Sequence, residues 1–149
     1  MATEASLARL LAIPVAALFL GSATAAPAAA ADEQPCVFDG EYQTLPTGRS
    51  IAVERCPDWS PRPDGRIPVY ESPHGGTAVG WLNETGPRAN WYVCQVSGAR
   101  QDLSGYWNTW WALTRSDTGA WGWVNEVYFR GGGNGEADGG LAGDCPRLE

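Results

Sequence analysis

Few side chains in this sequence are suited to acid, base or nucleophilic work. The 149 residues include one histidine, His74, and no lysine, so all ten cations are arginines. A serine, threonine or cysteine nucleophile needs a base within hydrogen-bond reach. His74 stands in the turn-forming run Ser72-Pro73-His74-Gly75-Gly76, where a polar residue serves the loop surface. Paired carboxylates can cleave sugars, and Asp102, Asp117 and Glu126 are available, but none lies in a motif. No catalytic residue and no enzymatic activity are expected.

Metal chemistry lacks material as well. Cys36, Cys56, Cys94 and Cys145 show no C-x-x-C spacing, and one histidine is too little for a zinc site. The run from Gly132 to Asp138 superficially resembles calcium-binding glycine repeats, but it occurs once and its spacing is off by one, whereas such repeats need stacking neighbours. No metal and no cofactor are expected. Asn83-Glu84-Thr85 matches a glycosylation sequon and is read as a chance match.

What the sequence does supply is aromatic surface. Of its eight tryptophans, five fall between Trp107 and Phe129, together with Tyr128 and Phe129 themselves. This is more than one small core needs, and aromatic faces stack on sugar rings and hold aliphatic peptide segments. If Leu113 and Val124 point inward, period-two alternation puts Trp111 inside with Leu113 and puts Trp110, Trp121 and Trp123 on an outer platform. Tyr70, Trp107, Trp110, Trp121 and Trp123 are therefore the expected ligand-binding residues. Two alternatives stay open: these tryptophans pack beneath the N-terminal segment, or a bulge near Gly122 shifts the faces.

The elements that must position them read as short strands. Trp110 to Thr114, the turn Arg115 to Gly119, and Ala120 to Val124 form a hairpin. Ile67 to Tyr70, Ala78 to Leu82 and Trp91 to Val96 precede it as three further strands. Asp32 to Arg66 is polar and proline-punctuated, with one strand pattern from Ser50 to Arg55 and an extended linker from Pro57 to Gly65. Helical periodicity is absent after the N-terminal leader. The expected class is all-β, a small barrel or sandwich. Gly131 to Gly140 reads as a flexible loop.

Arg9, the apolar run from Leu10 to Leu20 and the small residues from Gly21 to Ala31 read as a secretory signal peptide over residues 1–31, with cleavage after Ala31 or after Ala25. The apolar run is too short for a membrane span, although a retained anchor is the alternative. In an exported chain four cysteines favour two disulfides. Of three connectivities, Cys36–Cys56 and Cys94–Cys145 are expected, because each pair encloses one structural unit. The formal net charge of −7, without a basic cluster, speaks against nucleic acid, anionic membrane surfaces and anionic wall polymers as partners.

Val69-Tyr70 with Ser72-Pro73, then Val79-Gly80-Trp81-Leu82, Gly86, Trp110-Trp111-Ala112-Leu113, Gly122-Trp123-Val124 and Tyr128-Phe129 resemble, in that order, the bacterial SH3 (SH3b) domain. The strand at Cys94-Gln95 and the late Cys145 look like its small, secreted, disulfide-bonded actinobacterial members. The resemblance covers about Arg66 to Cys145. It implies an SH3-like barrel over residues 66–149, with residues 32–65 as a disulfide-closed N-terminal extension. It also implies binding of cell-wall peptidoglycan, through its peptide or glycan. Pro68 departs from the asparagine usual in the first motif, and the loop from Val96 to Trp107 is longer than typical. The expected function is a secreted, monomeric, non-catalytic binding module, with no membrane contact after leader cleavage. The alternative is a secreted protein-binding factor or enzyme inhibitor.

Overall fold

Strands form where β-branched and aromatic residues alternate with polar ones, and glycines at positive φ end them. The computed structural model describes residues 36–149; the expected leader lies outside the described residues. The elements are β1 (Val37–Thr44), β2 (Ser50–Cys56), β3 (Ile67–Ser72), β4 (Gly75–Leu82), β5 (Asn90–Tyr92), β6 (Gln95–Leu103), β7 (Tyr106–Arg115), β8 (Trp121–Asn125) and a 3-10 turn, Glu126–Tyr128. They make two antiparallel sheets, one ordered β4-β3-β8-β7-β6 and the other β1-β2-β5. The chain is all-β, as its alternation requires, and among the described residues the two sheets do not close into a barrel.

The expected hairpin forms, with Leu113 opposite Trp123 and Ala112 opposite Val124. Its turn is closed by the Ser116 N–H donating to the Ala120 carbonyl at 2.8 Å. Gly122 lets β8 approach β3, because a Cβ there would overlap the Tyr70 carbonyl oxygen. Both disulfides pair as expected, Cys36–Cys56 and Cys94–Cys145.

Three sequence expectations need correction. The strand read from Trp91 to Val96 is two strands in different sheets. Trp91 and Tyr92 pair with Arg55 and Glu54 of β2, whereas Gln95 and Val96 pair with Ala112 and Trp111 of β7. Val93 and Cys94 make the crossing, bonded to Leu113 through the Val93 N–H and the Cys94 carbonyl. Tyr92 and Cys94 are both fully buried, so the apolar run continues without a break while the chain changes partners. Second, the long loop from Val96 to Trp107 is the β6–β7 hairpin. Its two-residue turn, Ser104 (φ 50°) and Gly105 (φ 87°), has the paired positive φ values that fit the twist of flanking strands. Third, residues 37–44 form a strand that no sequence pattern announced.

Both faces of β7 are buried. Ala112 packs with Val69, Val124, Tyr92 and Phe129 in one core. Leu113 packs with Val53, Val93 and Cys94 in a second, bordered by Ile51, Trp91, Trp121 and Trp123. The residues expected to form an N-terminal extension thus supply two strands of one sheet and a wall of the second core.

Candidate functional site

The register of the hairpin decides where the tryptophans go. Cross-strand partners share a face, so Leu113 lies on the side of Trp121 and Trp123, and Val124 lies on the other side with Ala112. The premise that Leu113 and Val124 point the same way is off by one residue, and the single outer platform is not built. Trp111 and Leu113 are inside as expected, 1% and 0% exposed. Trp121 and Trp123, however, join the second core, where Trp121 lies 5.6 Å from Trp91, centroid to centroid. Tyr70 meets the edge of Trp111, and Trp110 stands opposite Ser97. Of the five expected ligand residues, only Trp107 lines the cleft described next.

The cleft has a volume of about 400 Å³ and opens where the tip of the β6–β7 hairpin, the 3-10 turn and the glycine-rich segment meet. Trp59, Tyr106 and Trp107 provide its aromatic surface, with Glu126, Arg130 and Asp138 among its polar lining. Trp59 sits in the proline-rich linker and is fixed by its indole N–H, which donates to the Val127 carbonyl at 3.1 Å. Its ring meets Tyr106 edge-on at 6.0 Å. Trp107 carries the Arg100 guanidinium 4.4 Å from its ring centre. The backbone N–H of Trp107 donates to Asn134 Oδ1 at 2.9 Å, and its carbonyl accepts the Gly135 N–H. The glycine-rich run, read as flexible, is therefore fastened to β7 beside the cleft.

Three acidic residues border this cleft or its glycine-rich wall. Asn125 accepts the Val127 N–H through its side chain and so sets the 3-10 turn that buries Glu126. Glu126 Oε2 accepts the Asp138 backbone N–H at 2.8 Å, while Glu126 Oε1 has no partner. Burial, then the neighbouring Asp138 charge, pushes the Glu126 carboxyl up to about 8. Asp138 Oδ2 accepts from Asn108 Nδ2 at 2.9 Å, and Asp138 Oδ1 has no partner. Burial and the charge of Glu136 push Asp138 up to about 7. Glu136 itself accepts the Gly133 N–H.

The other carboxylates considered for chemistry are occupied elsewhere. Asp102 pairs with Arg100 at the surface, and Asp117 accepts the Asn83 N–H. His74 is exposed. Among the described residues no group of three histidine, cysteine or acidic side chains could hold a metal, and no helix is long and apolar enough to cross a membrane. Trp59, Tyr106 and Asp138 were not expected at a site. Trp59 looked like a linker residue, and Asp138 was visible only as part of the imperfect glycine repeat. The chain matches no family model, and no curated protein or solved structure matches it.

Proposed function

We propose that this chain is an exported, monomeric, non-catalytic binding module of the SH3b type. It holds a peptide or glycan of cell-wall peptidoglycan against Trp59, Tyr106 and Trp107. The observation that carries this reading is the cleft itself: aromatic rings over a lining of carboxyl groups with unfilled hydrogen-bonding capacity, the mixture that recognises sugars and short peptides. Two disulfides brace the fold, as befits a small domain in an oxidising compartment. The Val-Tyr, Gly-Trp-Leu and Gly-Trp-Val runs that resemble SH3b fall on β3, β4 and β8, which are neighbours in one sheet. The test is sedimentation with insoluble peptidoglycan. Saturable binding by the oxidised chain, lost in a folded Trp107→Ala variant, supports the reading; no sedimentation of the unaltered chain overturns it.

One observation favours the alternative, a secreted protein-binding factor or inhibitor. The edge strand β1 exposes Val37, Phe38 and Tyr42 at 40%, 47% and 60%, and an exposed apolar edge strand is a template for pairing with another chain. Capture of a partner from culture medium, lost on Phe38→Lys, would move the assignment there.

A further inference from the structure

Glu126, Glu136 and Asp138 crowd one wall with no cationic side chain in ion-pair contact with any of them among the described residues. Of the arginines nearest the cleft, Arg100 pairs with Asp102, and Arg130, which lines the cleft, donates its Nε–H to the Asp58 carbonyl. Glu126 is 0% exposed, and its Oε1, like Asp138 Oδ1, is buried without a hydrogen-bond partner. A buried acceptor left empty costs about 1–3 kcal/mol, and the carboxyls that carry these two line the aromatic cleft, so a donor from outside would relieve that cost. Resting on the binding reading above, we infer that the cleft takes a primary ammonium group, as on a diamino-acid side chain of a wall peptide, with Glu126 and Asp138 as its anionic acceptors and Trp59, Tyr106 and Trp107 around its aliphatic stem.

The chemistry of each part matches. An ammonium has three donors and no acceptor, which suits two unfilled carboxyl oxygens. Its charge offsets that of the acidic wall, and aromatic faces attract cations by about 0.5–2 kcal/mol. Two glycines of the segment have no room for a side chain: a Cβ on Gly132 would overlap the Asp138 carboxyl, and one on Gly135 would press on the Trp107 ring. A neutral sugar hydroxyl could fill the same oxygens, but it would not draw the two carboxyls into their ionised form.

The charged and titratable groups facing Glu126 are Asp138 and, behind it, Glu136 on the glycine-rich segment, and Tyr92 from β5, whose ionisation Glu126 opposes. Arg130 lies at the cleft with Glu126. An ammonium requires Glu126 and Asp138 ionised, so its binding strengthens as pH rises from 6 to 8.5 and releases protons, while the amine itself stays charged throughout.

The test uses the oxidised mature chain and two probes, Nα-acetyl-lysine methylamide and its norleucine counterpart, read by NMR at the Trp59 and Trp107 indoles and the Gly131–Gly139 amides. Saturable shifts with the lysine probe alone, at least tenfold stronger at pH 8.5 than at pH 6 and lost in Glu126→Gln and in Asp138→Asn, are expected. Equal response to both probes, no response to either, or a response that survives both substitutions overturns the inference. Peptidoglycan sedimentation keeps the two readings apart. If both variants still sediment like the unaltered chain, the ammonium site fails and wall binding stands; if the unaltered chain does not sediment, wall binding fails whatever the probes show.

Discussion

The phenolic O–H of Tyr92 donates to Asp58 Oδ2 at 3.0 Å in a site with no exposed surface on either residue. Asp58 Oδ2 also takes a bond from Asn90 Nδ2 at 2.7 Å, and Oδ1 takes the Gly86 N–H at 2.9 Å. The Asp58 backbone bridges Phe129. Asp58 thus holds β5 through its carboxylate and the segment after β8, which leads to the cleft, through its backbone.

Removing that carboxylate strips an acceptor from three donors, of which Asn90 Nδ2 alone keeps another, the Glu84 carbonyl. Asp58→Ala should cost about 3 kcal/mol, because each stranded buried donor carries its own desolvation penalty. Tyr92→Phe, which removes one donor and leaves Asp58 two others, should cost about 1 kcal/mol. Urea unfolding with an unchanged slope measures both. An Asp58→Ala midpoint equal to that of the unaltered chain would show that the network holds nothing together.

Glu126 and Asp138 set the pH dependence. Burial raises both, from 4.5 to about 8 and from 3.8 to about 7, so the folded chain keeps protons that the unfolded chain has released. Stability is therefore fullest below about pH 4 as far as these two groups are concerned. It declines as pH rises and is lost by about pH 8–9. For fully buried Glu126 the decline is on the order of a few kcal/mol. Calorimetry should give a higher thermal midpoint at pH 5.5 than at pH 8.5, with the gap narrowed in Glu126→Gln. A gap unchanged in that variant would assign the effect to general acidic repulsion instead.

The disulfides differ in what they restrain. Cys94–Cys145 closes 51 residues and Cys36–Cys56 closes 20, and restricting the unfolded chain over such loops is worth about 4 and about 3 kcal/mol respectively. Replacing the Cys94–Cys145 pair by alanines should be the more damaging change. It also frees the segment whose Ala142 carbonyl accepts the Gln95 N–H. Equal midpoints for the two double variants would contradict this order.

The Trp110–Val124 hairpin, the strands at Ile67–Tyr70 and Ala78–Leu82 and both disulfides could be read directly, because alternation and cysteine parity are local signals; β6, taken as a loop, could not. The division of Trp91 to Val96 between two sheets could not. A run buried on both sides has no polar residue to mark where its partner changes, so Tyr92 and Cys94 look alike in sequence. The platform failed for a related reason: the face of Val124 depends on whether it stands opposite Leu113 or Ala112, and that register is set across the turn. The cleft was the least legible part. Trp59, Tyr106, Trp107, Glu126 and Asp138 come from a linker, a hairpin tip, a 3-10 turn and a glycine-rich segment, brought together by tertiary bonds such as Asn134 to the Trp107 backbone.

The same divided hairpin separates stability from binding. Trp121 meets Trp91 at a tilt and packs with Leu113 and Val53, so Trp121→Ala should open a hole in the second core and cost about 3 kcal/mol. Any loss of ligand binding should then follow the loss of folded protein. Trp107 spans the cleft wall between Arg100 and Gly135, and its truncation removes aromatic surface from the cleft while leaving both cores intact. Trp107→Ala should lower the midpoint by less than about 1 kcal/mol and still abolish sedimentation with peptidoglycan. Measured together, unfolding midpoint and sedimentation should place the two variants on opposite axes. If Trp121→Ala loses binding while fully folded, the ligand instead sits on the outer edge of the hairpin, and the cleft beneath Tyr106 is not where it is held.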